Sequence, residues 1–140
     1  MITKSSLVLK NRKYALAFIS WMVFITFSSL SSFKDTETPG LDIPHLDKVV
    51  HFTFYFVASI LAAFFIRELS QGKYPFNKTL MISVFGAIGF GIIIEVLQMT
   101  LTTDRQGDIF DALANSLGAF GGILGLKLLF SKVERLKWKI

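Results

Sequence analysis

The chain has 140 residues, of which 52% are hydrophobic and only 18% charged, with a mean hydropathy of +0.55 and a net charge of +5. A soluble domain carries about 45–50% apolar residues with glycine counted and about 25% charged; here ten glycines come on top of the 52%, which excludes a disordered chain and argues against an ordinary soluble one. Cysteine is absent, so there is no disulfide framework, no thiolate metal site and no cysteine nucleophile.

Taken in chain order, four apolar stretches approach the roughly 20 residues that a membrane helix needs. Residues 14–33 carry no formal charge, and 49–66 are interrupted only by His51. Residues 79–94 continue past Glu95 to Leu101, and 112–126 continue past Lys127 to Phe130. These runs predict spans at about 14–33, 49–66, 79–101 and 109–130, in one domain covering 1–140. The first is read as an uncleaved anchor, because its apolar run exceeds the roughly 7–15 residues of a signal peptide and no small-residue cleavage site follows.

The charges alternate with the spans. The N-terminal tail, the second gap and the C-terminal tail hold 12 of the 15 basic residues, with Glu68 and Glu134 as their only acids. The other two gaps hold Lys34, Lys48 and Arg105 against eight acids, Glu95 included. The positive-inside rule asks for this pattern when both termini are cytoplasmic. A nucleic-acid binder gathers its basic residues on one face, so nucleic acid is not an expected partner. The predicted fold is an all-α, integral membrane four-helix bundle, N-in and C-in.

With that topology, the conspicuous polar residues collect at the outer ends of three spans. Asp47, Lys48 and His51 open the second, Glu95 and Gln98 close the third, and Arg105, Asp108, Asp111 and Asn115 open the fourth. Asp47, His51 and Tyr55 recur every four residues and share a helix face. Asp108, Asp111 and Asn115 form a second stripe. Charged groups cost about 2.5–3.5 kcal/mol at the bilayer centre, so they should face one another or a wet cavity. Each also has a plain structural reading. Asp108 and Asp111 look like an N-cap and its third-position partner. Lys48 can snorkel to the headgroups, and Asn115 can serve as interhelical glue. Glu95 needs a partner, with Arg105, Lys48 and His51 as the candidates. Gly86, Gly89 and Gly91 in the third span, and two overlapping G-x-x-x-G patterns from Gly118 to Gly125 in the fourth, mark close packing within the bundle or between two copies, so a homodimer is an expected alternative.

These residues carry a resemblance. DKVVHFTFY at 47–55, EVLQ at 95–98 and the R-x-x-D-x-x-D-x-x-x-N-x-x-G stretch from Arg105 to Gly118 resemble the signature of the VanZ-like family of bacterial membrane proteins. The resemblance spans most of residues 46–126. It implies a place in the bacterial cytoplasmic membrane. It also implies a ligand site built from Asp47, Lys48, His51, Glu95, Gln98, Arg105, Asp108, Asp111 and Asn115. The family takes its name from a protein that gives low-level resistance to the glycopeptide teicoplanin, and antibiotic resistance is the corresponding expectation. Thr102 and Thr103 before Asp104 depart from the aromatic or proline residues frequent there.

Four functions compete. The leading one is an accessory membrane protein whose outer polar pocket binds a cell-envelope lipid headgroup, a lipid-linked cell-wall precursor or a glycopeptide, with Lys48 and Arg105 on phosphate or carboxylate. The alternative is an enzyme acting on a lipid-linked substrate, with His51 as base or nucleophile and Glu95 or Asp47 orienting it; no recognised catalytic spacing accompanies these residues, and the reading leans away from catalysis. A third is a divalent-cation site among the carboxylates and His51. Two permanent cations in the cluster argue against it, so no metal or other cofactor is expected. The fourth is a polar clasp that only fastens the bundle.

Overall fold

The computed structural model describes residues 12–31, 45–101 and 108–132. They form four helices, α1 Lys13–Leu30, α2 Leu46–Leu69, α3 Phe76–Leu101 and α4 Ile109–Lys132. All four are long and apolar enough to cross a membrane. At about 1.5 Å per residue, the 24 residues of α2 reach about 36 Å, against a hydrocarbon core about 30 Å thick. Arg105 and Asp104 lie outside the described residues.

The helix ends follow local chemistry. Ser31 turns extended after α1, its N–H returning to Phe27 O. The α2–α3 turn runs through two left-handed residues, Gln71 (φ 51°) and Gly72 (φ 70°), and Gly72 N–H bonds Arg67 O at 2.9 Å. Glycine accepts that conformation without steric cost. The carbonyl of Pro75 then receives Thr79 N–H at 3.0 Å, and α3 begins. This six-residue connection makes α2 and α3 antiparallel neighbours.

The molecule is inverted relative to a soluble protein. Its large apolar side chains point outward, among them Phe27, Phe85, Ile93, Leu117 and Phe120, while His51, Ser59, Thr79, Glu95, Gln98 and Asn115 are buried. An apolar belt of this extent is the mark of a surface that meets lipid. The core is assembled from small residues and a few large ones: Ile25, Tyr55, Ala58, Val84, Ala87 and Ala119, with Trp21 and Phe54 packed against them.

Helix α2 is the hub, packing against each of the other three, most extensively against the parallel helix α4. At Gly118 an added Cβ would strike the carbonyl of Phe52, and at Gly122 it would strike Ser59 Oγ and the carbonyl of Phe56. In α3, Gly91 lies under Tyr55 and Asn115, where an added Cβ would come within 3.1 and 3.3 Å of them, whereas Gly86 and Gly89 meet nothing within 4 Å. Trp21 Nε1 of α1 donates to Phe54 O at 3.0 Å, which seats α1 on α2.

Candidate functional site

Because α2 and α4 start at one end of the bundle and α3 finishes there, their polar residues meet at one depth. Lys48 turns inward instead of snorkelling. Its ammonium donates to Asp47 Oδ2 at 2.9 Å, Asp108 Oδ2 at 2.9 Å and Asp111 Oδ1 at 3.0 Å. An ammonium has three protons, and all three are engaged.

Asp108 does two things at once. Oδ1 accepts Phe110 N–H at 2.8 Å, capping α4, while Oδ2 holds Lys48. The Lys48 ammonium, helped by that N–H, holds the Asp108 carboxyl below the usual carboxylate range. Asp111, one turn on, is the third-position residue of the cap. Its carboxylate is committed elsewhere: Oδ1 bonds Lys48, and Oδ2 lies 3.8 Å from His51 Nε2.

Below this layer a second chain of contacts joins three helices. His51 Nδ1 donates to Asn115 Oδ1 at 3.0 Å, and Asn115 Nδ2 donates to Glu95 Oε1 at 3.2 Å. An amide offers one acceptor oxygen and one donor nitrogen, so Asn115 can bridge an imidazole N–H and a carboxylate only in this orientation. In the neutral imidazole this bridge leaves the lone pair on Nε2. Glu95 thus finds Asn115, with His51 Nδ1 3.8 Å from Oε1. Among the described residues, Glu95 Oε2 and the Tyr55 hydroxyl are buried without a hydrogen-bond partner.

Gln98 serves a different contact, donating from Nε2 to Ser29 O of α1 at 2.7 Å. A fourth helix therefore contributes to a site that the sequence assigned to three. An open cavity of about 580 Å³ lies here, with Ser28, Ser29, Asp47, His51, Gln98, Asp108 and Asp111 as polar lining and Leu46, Val50 and Phe54 as an apolar wall. The signal for α1 was the serines at 28, 29, 31 and 32, at the end of the first span. Tyr55 was visible as the third residue of the Asp47–His51 stripe, but its spacing alone did not mark its hydroxyl as unpartnered.

The residues thus brought together are Asp47, Lys48, His51, Glu95, Gln98, Asp108, Asp111 and Asn115, while Arg105 lies outside the described residues. One ligand atom each from His51, Glu95 and Asp111 lies within 4.8 Å of the others, and the same holds for Asp47, Asp108 and Asp111.

An uncharacterized protein of the fission yeast Schizosaccharomyces pombe is 33% identical over 132 residues, covering 94% of this chain and 74% of the relative. No solved structure matches the chain. The model of the VanZ/LLP1 family matches residues 4–130. With four membrane-capable helices under that match, the chain is a multi-pass membrane protein and belongs to the VanZ/LLP1 family.

Proposed function

We propose that this VanZ-like protein binds the headgroup of a cell-envelope lipid in the cavity between α1, α2 and the ends of α3 and α4. The observation that carries the reading is the cavity's composition: a polar floor of Asp47, His51, Gln98, Asp108 and Asp111 beside an apolar wall of Leu46, Val50 and Phe54. An amphiphile presents the same two surfaces side by side. Because Lys48 already serves three carboxylates, the favoured headgroup is rich in donors, an amine or a polyol, and not a bare phosphate gripped by Lys48.

The charge alternation supports both termini being cytoplasmic, which puts this cavity in the outer leaflet. The resemblance to bacterial VanZ-like proteins supports the bacterial cytoplasmic membrane as its location. Close packing through Gly91, Gly118 and Gly122 would hold the cavity's floor in shape. A glycopeptide or a lipid-linked cell-wall precursor offers similar donors from the same side, and low-level teicoplanin resistance would follow from engaging either.

Native mass spectrometry of the protein released from bilayers tests the binding. The parent should retain an envelope lipid that Val50→Trp, which fills the apolar wall, loses. Identical lipid complements in both would overturn the reading. Expressed in a susceptible host, the parent should raise the inhibitory concentration of teicoplanin and Val50→Trp should not.

A second reading, an enzyme on a lipid-linked substrate, is favoured by the Nε2 lone pair that the Asn115 bridge leaves on His51 beside the cavity. It requires turnover that disappears in His51→Gln while lipid retention persists.

A further inference from the structure

We infer that His51, Glu95 and Asp111 form a binding site for one divalent transition-metal ion of the zinc type next to the cavity, which His51 and Asp111 line. The inference goes beyond headgroup binding and does not depend on it.

The donor set is the first argument. One imidazole and two carboxylates, from three different helices, bring a ligand atom each to within 4.8 Å of the others. Zinc–nitrogen and zinc–oxygen bonds are about 2.0–2.2 Å, which makes the edge between two tetrahedral ligands about 3.3–3.5 Å. His51 Nε2 and Asp111 Oδ2 are 3.8 Å apart. That is too long for a hydrogen bond and a few tenths of an ångström from such an edge.

The second argument is the state of the imidazole. A metal-bound histidine donates its other ring N–H to a carbonyl or carboxylate, which fixes the tautomer and the ring plane. His51 Nδ1 does this to Asn115 Oδ1, and Asn115 passes the contact on to Glu95. Outer support of the kind a metal site needs is therefore in place.

The third argument is independent of the cluster's hydrogen bonds. Glu95 is only 7% exposed, and its Oε2 has no partner among the described residues. The Asp108 N–H also faces the Glu95 carboxylate, but a buried oxygen without a hydrogen bond of its own is costly, and a cation held among His51, Glu95 and Asp111 supplies the missing partner.

Charge completes the case. Lys48 and Arg105 were expected to repel a metal ion. The Lys48 ammonium, however, is surrounded by three carboxylates and contributes no free positive charge. Asp111 divides its oxygens, Oδ1 to Lys48 and Oδ2 toward His51. With Glu95, four carboxylates face one ammonium among the described residues, and a divalent ion reduces that excess. Three protein ligands leave a fourth position for water or a bound headgroup.

The test uses the full chain in detergent with any affinity tag removed, stripped with a chelator and titrated with zinc alone. We expect one zinc per chain by elemental analysis and calorimetry. X-ray absorption of the zinc-loaded parent should show one imidazole among oxygen ligands, a readout that needs no variant. His51→Gln and Glu95→Gln should weaken zinc binding by about 100-fold or more, and Asn115→Ala by about 10–100-fold. The parent's unfolding temperature should rise with zinc, as binding to the folded state requires. Substoichiometric zinc, or bound zinc without an imidazole ligand, would overturn the proposal. So would a Glu95→Gln variant that binds zinc as the parent does. If the parent takes up no zinc and Glu95→Gln is as stable as the parent, the partner of Oε2 is a proton and the metal site is excluded.

Discussion

The two ends of the bundle solve the same problem, a carboxylate near a helix terminus, in opposite ways. At one end Glu68 reaches across to the start of α1, where its oxygens accept Ala15 N–H at 2.8 Å and Tyr14 N–H at 3.4 Å. Those N–H groups have no partner inside their own helix, so carboxylate and backbone satisfy each other. Aromatic rings close in around them: Tyr14 stacks on Phe64 at 5.0 Å, and Phe76 meets Phe130 at 5.7 Å. At the other end the carboxylates look to side chains. One ammonium is divided among Asp47, Asp108 and Asp111, and one amide joins His51 to Glu95. At the first end the Glu68 carboxylate is satisfied by backbone N–H groups, beside an open cavity of about 780 Å³ lined by Arg12, Tyr14, Arg67, Glu68 and Gln71. At the second, a carboxylate oxygen of Glu95 and the Tyr55 hydroxyl are buried without a hydrogen-bond partner among the described residues. The two ends thus differ in what their carboxylates meet, backbone at one and side chains of other helices at the other.

Three variants test that contrast. Asn115→Leu keeps the branching of the bridge and removes both of its hydrogen bonds, stranding His51 and Glu95 together. It should lower stability by about 2–3 kcal/mol in detergent unfolding. Glu68→Ala removes a cap from the opposite end and should cost about 1 kcal/mol in the same assay. Equal losses would mean that the two ends are equivalent fasteners. Asp108→Asn is the smallest change near neutral pH, because asparagine also caps Phe110 N–H and only the contact with Lys48 is weakened. Its effect lies in acid. The Asp108 carboxyl is held below its ordinary value by Lys48, so its contribution to stability is complete above about pH 4 and is lost as pH falls through the lower, folded value. The parent should therefore lose stability more steeply below pH 4 than Asp108→Asn does. Parallel unfolding curves between pH 7 and 3 would show that the pair contributes nothing.

The fold was legible because charge and apolar length both mark spans. Charged side chains are costly in hydrocarbon, so their placement alone traced four helices and sorted the polar residues by depth. Which way each side chain turns was not legible. Lys48 has a long flexible stem, and only the arrival of Asp108 and Asp111 on α4 decides between snorkelling outward and turning in. Asp111 stands at capping spacing, yet a cation on another helix claims its carboxylate. Gln98 was placed with its neighbours by depth, but its donation to Ser29 O depends on how α1 leans, and no spacing within α3 encodes that. Gly86 and Gly89 look like Gly91 in the sequence. The direction of each on the helix decides that Gly91 meets Tyr55 and Asn115 while the other two meet nothing.

The bridge through Asn115 also bears on how the protein is made. Helices enter the bilayer in chain order, and α4 carries Asp108, Asp111 and Asn115. Until it docks, Lys48 has Asp47 beside it but neither Asp108 nor Asp111, and His51 and Glu95 lack the amide that joins them. A nascent chain halted after α3 therefore leaves an incompletely paired ammonium and a carboxylate without its amide partner. Docking Gly118 against the Phe52 carbonyl and Gly122 against that of Phe56 conceals both in one step. Of the four described helices, the one synthesised last is thus the one that completes these contacts.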